Sequence, residues 1–171
     1  ISITDENELN KVFNDFKPNI VFHAAAYKHV PILETNPISA CQNNILGSVN
    51  IIKNCYEHNI EKFILISTDK AVRPTNVMGA TKRFAEKISM SFANNFKDRN
   101  TKIYIVRFGN VIGSAGSVIP LFNEQIKNKE ALTITHPDIT RYFMKISEAV
   151  GLVLLSSTFK TSGNIYFLNM G

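Results

Sequence analysis

Apolar residues in this chain switch repeatedly between a helical period and short unbroken runs. Leu9, Val12, Phe13 and Phe16 recur at helical spacing, and Asp5 with Glu8 forms a capping pair ahead of them. The run Ile20-Val21-Phe22 follows and leads into His23-Ala24-Ala25-Ala26. Ile38, Ile45, Val49, Ile52 and Tyr56 then predict one face of a long helix. Phe63-Ile64-Leu65-Ile66 reads as a buried strand, and so does Ile103-Tyr104-Ile105-Val106. Between them, Phe84, Ile88 and Phe92 at i, i+4 and i+8 predict a helix over about 79–95. Later helices are expected near 120–129 and 147–157, with short strands near 132–135 and 165–169.

Strands that are apolar at consecutive positions are covered on both faces. Alternation with long helices is the signature of βαβ units, which predicts an α/β fold built on one parallel sheet. Right-handed crossovers then bring the C-terminal end of every strand to one edge. No repeat and no low-complexity linker breaks the pattern, so the 171 residues read as one layered domain, or most of one.

Composition narrows the function classes. An apolar fraction of 44% supports a real core, yet no run approaches the ~20 residues that cross a bilayer. The net charge of +5 comes from scattered Lys and Arg without interleaved aromatics. That argues against a nucleic-acid surface and is compatible with an anionic small molecule. Cys41 and Cys55 are the only cysteines. On one helix they would lie about 21 Å apart at 1.5 Å per residue, too far to bridge, so free thiols and a cytoplasmic domain are expected. His23, His29, His58 and His136 have no zinc-ligand spacing, and no metal is expected.

In open parallel sheets ligands bind beyond the C-terminal strand ends. Three segments follow the three buried strands: 23–29, 67–70 and 108–114. All are small or polar, and all should share one edge. Alanines at 24–26 permit close approach of a ligand or, equally, close packing of helix on strand. His23 reads as a hydrogen-bonded, partly buried residue rather than a catalyst. Lys28 can meet a phosphate or simply be solvated. Ser67-Thr68-Asp69-Lys70 sets a hydroxyl, a carboxylate and an ammonium side by side, as acid–base chemistry needs, although Asp69 can also cap a turn. Lys82 lies one helical turn after Met78 and would point back toward the strand ends, or else outward as an ordinary helix lysine. Gly109, Gly113 and Gly116 suit tight turns near a ligand as well as a plain loop.

The segments HAAAYKHVPILETNP, NNILGSVNII, ISTDKAVRPTNVMGATKR, VRFGNVIGSAGSVIPLF and HPDITRYFMKISEAV together resemble the CapD/WbpM-like polysaccharide-biosynthesis proteins. These are UDP-N-acetylglucosamine 4,6-dehydratases of the extended short-chain dehydrogenase/reductase superfamily. The resemblance implies a Rossmann-type doubly wound parallel sheet, NAD rather than NADP as cofactor, and a UDP-sugar substrate. It implies Thr68, Asp69, Lys70, Met78 and Lys82 as the catalytic set, with Met78 where the superfamily usually carries tyrosine. Thr68 would act at C4, Lys70 would take the C5 proton as a neutral amine, and Asp69 would protonate the departing C6 hydroxyl. Ala24, Ala25, Ala26, Ser67, Lys82 and Phe108 would hold the cofactor. Lys28, Asn110, Ser114 and Arg141 would face the UDP-sugar.

No G-x-G-x-x-G occurs in these 171 residues. The family's glycine-rich loop and ribose-binding acid precede the point matched by Ile1. The expectation is a domain truncated at both ends and lacking its first βα unit, inactive and weak for NAD on its own. Apolar sheet surface near Ile20 to Phe22 should then be exposed, which invites self-association into a homo-oligomer. The resemblance to the long branch also implies a full-length protein anchored to the inner membrane. A C5-inverting dehydratase, a C4 epimerase of a UDP-sugar and a non-catalytic nucleotide-binding domain remain as alternatives.

Overall fold

Among the described residues fifteen elements follow one another, and their order is set by the alternation already visible in the sequence. The computed structural model describes residues 1–96, 100–114, 117–134 and 136–167. Gly116, Thr135 and the 168–169 end of the last expected strand lie outside the described residues.

Helix α1 spans Glu6–Phe16, and the Asp5 carboxylate accepts the Glu8 N–H at 3.0 Å, as the capping pair predicted. Strand β1 spans Ile20–His23. Two short helices, α2 (Val30–Thr35) and α3 (Pro37–Cys41), precede a π turn over Gln42–Leu46, which runs directly into α4 (Gly47–Glu57). Strand β2 spans Lys62–Thr68, followed by a 3₁₀ turn at Asp69–Ala71 and the long helix α5, Val77–Asn95. Then come β3 (Lys102–Phe108), β4 (Asn110–Val111), α6 (Val118–Lys127), β5 (Phe143–Met144), α7 (Ile146–Ser156) and β6 (Asn164–Phe167).

The main sheet is parallel with order β1-β2-β3-β6. Side chains alternate across it and so divide into two cores. Phe63, Leu65, Ile103 and Ile105 point to the face covered by α1, α4 and α5, where they pack with Leu9, Phe13, Ile52, Cys55 and Ala85. Ile64, Tyr104 and Val106 point to the other face, against Leu152, Val153 and Phe159. Burial on both sides is the reason these strands lack polar alternation. On β1, Val21 packs on the first core and His23 is buried, whereas Ile20 and Phe22 on the opposite side are 36% and 43% exposed. That matches the expected apolar surface at this edge. No described helix is long and apolar enough to cross a membrane.

The structure corrects several expectations. Ile38 is exposed, because the π turn inserts extra backbone and rotates the buried row to Ala40, Asn44 and Ser48 before it reaches Ile51, Ile52 and Cys55. Phe84 is also exposed, and α5 instead buries Met78, Thr81, Lys82, Ala85, Glu86 and Ser89. Residues 132–134 form no strand. The Gln125 side chain occupies that backbone instead, accepting Thr133 N–H at 3.2 Å and donating to Thr133 Oγ1 at 2.6 Å. A second, two-stranded parallel sheet, β4 with β5, was not expected, since two residues are too short to show a period. Both cysteines are free, and burial pushes the Cys55 thiol up to about 12, which makes it inert.

Candidate active site

Because β1, β2 and β3 run parallel, the segments after them meet at one edge. A cleft of about 470 Å³ opens there, and its walls include Ala24, Ala26, Lys28, Ser67, Thr68, Lys70, Met78, Lys82, Phe108, Asn110 and Ser114. Most of the residues singled out from sequence are therefore brought together. Ala25, Asp69 and Arg141 do not line it. Asp69 is nonetheless tied to its rim, and Arg141 is exposed, with its guanidinium on the neighbouring Thr140 carbonyl at 2.8 Å.

Thr68 and Asp69 form the turn that ends β2. Thr68 Oγ1 donates to Asp69 Oδ1 at 2.8 Å, and Lys70 Nζ reaches the same oxygen at 3.1 Å. Lys70 also donates to Asn110 Oδ1 at 3.2 Å, while Asn110 Nδ2 donates to the Tyr142 carbonyl at 3.2 Å. The hydroxyl, carboxylate and ammonium are thus one hydrogen-bonded cluster, and β4 and β5 buttress it. Asp69 and Lys70 keep 49% and 36% of their side chains exposed, so the pair is open to solvent rather than packed in a core, with Thr68 and Lys70 on the cleft wall.

The cluster's position relative to α5 depends on Gly79. Asn76 caps α5 by accepting Gly79 N–H at 2.8 Å, and Glu34 accepts Val77 N–H at 2.6 Å. A β carbon on Gly79 would collide with the Lys70 carbonyl oxygen, which is backbone and cannot swing away. Gly79→Ala is expected to lower kcat at least tenfold and to cost about 1–3 kcal/mol of stability, since overpacking outweighs alanine's helix preference of ~1 kcal/mol. Thermal unfolding and steady-state kinetics on the variant check both; unchanged values would mean that the turn adjusts freely.

Lys82 points inward. Its Nζ donates to the Ile66 carbonyl, and the residue is 8% exposed. Burial pulls its pKa down from 10.5 to about 8, against the opposing charge of Glu86. Met78 is 5% exposed and packs on Leu33 and Ala40, so it forms a wall of the cleft.

Four contributors escaped the sequence reading. Asn44, in the π turn, accepts Tyr27 N–H at 2.8 Å and donates to Tyr27 O and Thr81 Oγ1, both at 3.0 Å. It thereby pins the segment after β1 to α5. Glu86 is fully buried and holds Ser67, Arg107 and Arg83. The Ser67 hydroxyl proton is thus committed to the core. Arg107 is the β3 partner of Ser67. Ser117, at the start of α6, lines the cleft with a buried Oγ that has no partner among the described residues. Position-by-position periodicity carries no signal for these, because each is a polar residue on a face that pattern reading assigns to apolar ones.

A family model described as "Polysaccharide biosynthesis protein" matches residues 1–171. The capsular polysaccharide biosynthesis protein CapD of Staphylococcus aureus is 50% identical over 169 residues, which is 99% of this chain and 28% of that protein. A UDP-glucose 4-epimerase of Rickettsia rickettsii is 43% identical over 148 residues, 86% of this chain and 43% of the epimerase. Among solved structures, Pen from Bacillus thuringiensis superposes with a TM-score of 0.94 at 35% identity, covering 99% of this chain and 53% of Pen. The chain spans between about a quarter and about half the length of these relatives. With every residue matched by the family model, and with the fold superposing on Pen, the chain belongs to the polysaccharide biosynthesis protein family on a Rossmann-type fold.

Proposed function

We propose that the full-length protein carries out NAD-dependent 4,6-dehydration of UDP-N-acetylglucosamine to a 4-keto-6-deoxy sugar, for bacterial surface polysaccharide or glycoprotein glycan synthesis. The observation that carries this reading is the hydrogen-bonded cluster of Thr68, Asp69 and Lys70 at a cleft that also holds Lys82 and Asn110. A simple epimerase needs no acid for a leaving C6 hydroxyl, whereas a dehydratase needs an acid and a base side by side.

The residues present fit the nicotinamide half of the cofactor. Ala24 and Ala26 are small side chains on the cleft wall, and the buried Lys82 ammonium would donate to a ribose hydroxyl of the cofactor. When bound, NAD accepts hydride from sugar C4 and returns it to C6. Met78 cannot accept a proton at neutral pH, so the C4 hydroxyl proton passes to Thr68 Oγ1 and on to Asp69, along the 2.8 Å bond already made. Asp69 is then the acid that protonates the C6 hydroxyl, which leaves as water. Lys70, open to solvent, first releases its ammonium proton to water; as the free amine it removes the C5 proton and returns it to C5 at the end, so protons balance over the cycle. Asn110 keeps Lys70 aimed, and Ser117 Oγ, without a partner among the described residues, would meet the nucleotide sugar.

Product analysis by NMR tests the proposal directly. Incubation of the full-length protein with NAD and UDP-N-acetylglucosamine is expected to give a C6 methyl group beside a C4 ketone. A C4 epimer with its C6 hydroxyl intact would replace dehydration by epimerisation. An inverted C5 would identify the C5-inverting dehydratase.

A further inference from the structure

Glu86 is the most deeply buried charge in the described chain, at 0% exposure, and nothing in the proposed chemistry uses it. Its Oε1 accepts Ser67 Oγ at 2.6 Å and Arg107 Nε at 2.7 Å. Its Oε2 accepts the second Arg107 nitrogen at 2.6 Å and Arg83 at 3.1 Å. A carboxylate taken wholly out of water is costly, and a well-packed apolar side chain in its place is often no less stable. Stability alone therefore gives little reason for the charge. Its location gives a better one. Glu86 lies one turn after Lys82 on the same face of α5. Lys82 grips the Ile66 carbonyl while Glu86 grips the Ser67 side chain, so the two hold consecutive residues at the functional end of β2. Arg107, opposite Ser67 in the sheet register, brings the end of β3 into the same clamp.

We infer that Glu86 is a positioning residue for Lys82: it fixes α5 against the ends of β2 and β3 so that the ammonium reaches the cleft. The inference rests on the reading of Lys82 as the residue that serves the cofactor. The charged and titratable groups around Lys82 are mostly basic. They are His23 from β1, Lys28 after it, Lys70 after β2, Arg83 on α5 and Arg107 on β3. Asp69, the other carboxylate at this edge, is half exposed and paired with Lys70, whereas Glu86 is fully buried and paired with Arg83 and Arg107. Burial pulls Lys82 down and the Glu86 charge opposes it, consistent with the geometry. Burial would likewise push Glu86 up, but its bonds to Arg107 and Ser67 and the neighbouring guanidinium charges prevail and hold it ionised.

The test reads Lys82 directly in the cofactor-free full-length protein labelled with ¹³C at lysine Cε, the Lys82 resonance being assigned by its loss in Lys82→Met. Wild type is expected to titrate near pH 8. Glu86→Gln, checked for folding by circular dichroism, should titrate lower by on the order of one unit. Glu86→Asp, which keeps the charge, should stay near wild type. A Glu86→Gln titration coincident with wild type overturns the inference. Should Glu86→Gln fail to fold, Glu86→Asp decides through kinetics. Its shortened reach should lower kcat about tenfold with the KM for UDP-N-acetylglucosamine unchanged, and a wild-type kcat overturns the inference. Wild-type protein that forms no keto sugar sinks the dehydratase reading, whereas the NMR titration stands apart from that result.

Discussion

Lys70→Ala and Asp69→Asn in the full-length protein are each expected to lower kcat for dehydration by about 100- to 10,000-fold, the range lost when a general acid or base is removed. Binding of the nucleotide sugar should change little, so the loss falls on kcat rather than KM. The geometry underlies both halves of this expectation. Neither side chain packs in a core; each is at least a third exposed at the mouth of the cleft. Their removal leaves β2, α5 and the Glu86 clamp intact, so thermal unfolding should be nearly unchanged. The two losses should also be less than additive. Asp69 accepts both Lys70 and Thr68, and groups that act as one unit do not contribute separately. A Thr68→Val variant should lose activity with them, because Met78 offers no other route for the C4 hydroxyl proton. Wild-type turnover by either primary variant would reduce the segment to a structural turn.

The parts of this molecule legible in its sequence are those where one physical effect dominates. Phe63-Ile64-Leu65-Ile66 and Ile103-Tyr104-Ile105-Val106 had to be strands buried on both faces, and the parallel order followed from the helices between them. Parallel order in turn predicts Ala25, Thr68 and Asn110 at one edge; Thr68 and Asn110 line the same cleft, and Ala25 does not. The reading failed where polar groups are buried on purpose. Helix α5 turns Thr81, Glu86 and Ser89 inward beside Lys82, and its apolar Phe84 outward, because the face that packs Ala85 on the core also carries the site's electrostatics. The π turn shifted the register of the preceding helix in a way no 3.6-residue period can express, and it did so where Asn44 must meet both backbone groups of Tyr27. Departures from simple pattern thus concentrate around the cleft, as expected where function overrides local preference.

Acid is expected to destabilise this fold through His23. Ser48 Oγ donates its proton to the Asn44 carbonyl at 2.7 Å, so at its 2.8 Å contact with His23 it can only accept. The imidazole therefore carries a hydrogen on Nε2, and Nδ1 is buried with no partner among the described residues, which suits the neutral form. Protonation would place a charged, unsatisfied N–H in a site only 3% exposed. Burial, reinforced by the Lys82 charge, accordingly lowers the His23 pKa from 6.5 to about 3. Above pH 6.5 neither the folded nor the unfolded chain binds this proton, and His23 costs nothing. Below pH 6.5 the unfolded chain takes the proton and the folded chain does not, so stability falls until the folded pKa is reached. The loss should be about 2 kcal/mol at pH 5 and about 5 kcal/mol when complete. Urea unfolding of wild type and of His23→Gln, each at pH 7.5 and pH 5, isolates the effect. The variant keeps a donor for Ser48 but has nothing to titrate, so its stability should fall by about 2 kcal/mol less than wild type over that interval. Equal losses in the two proteins would mean that His23 is protonated in the folded state, and that Nδ1 has found an acceptor, such as a buried water.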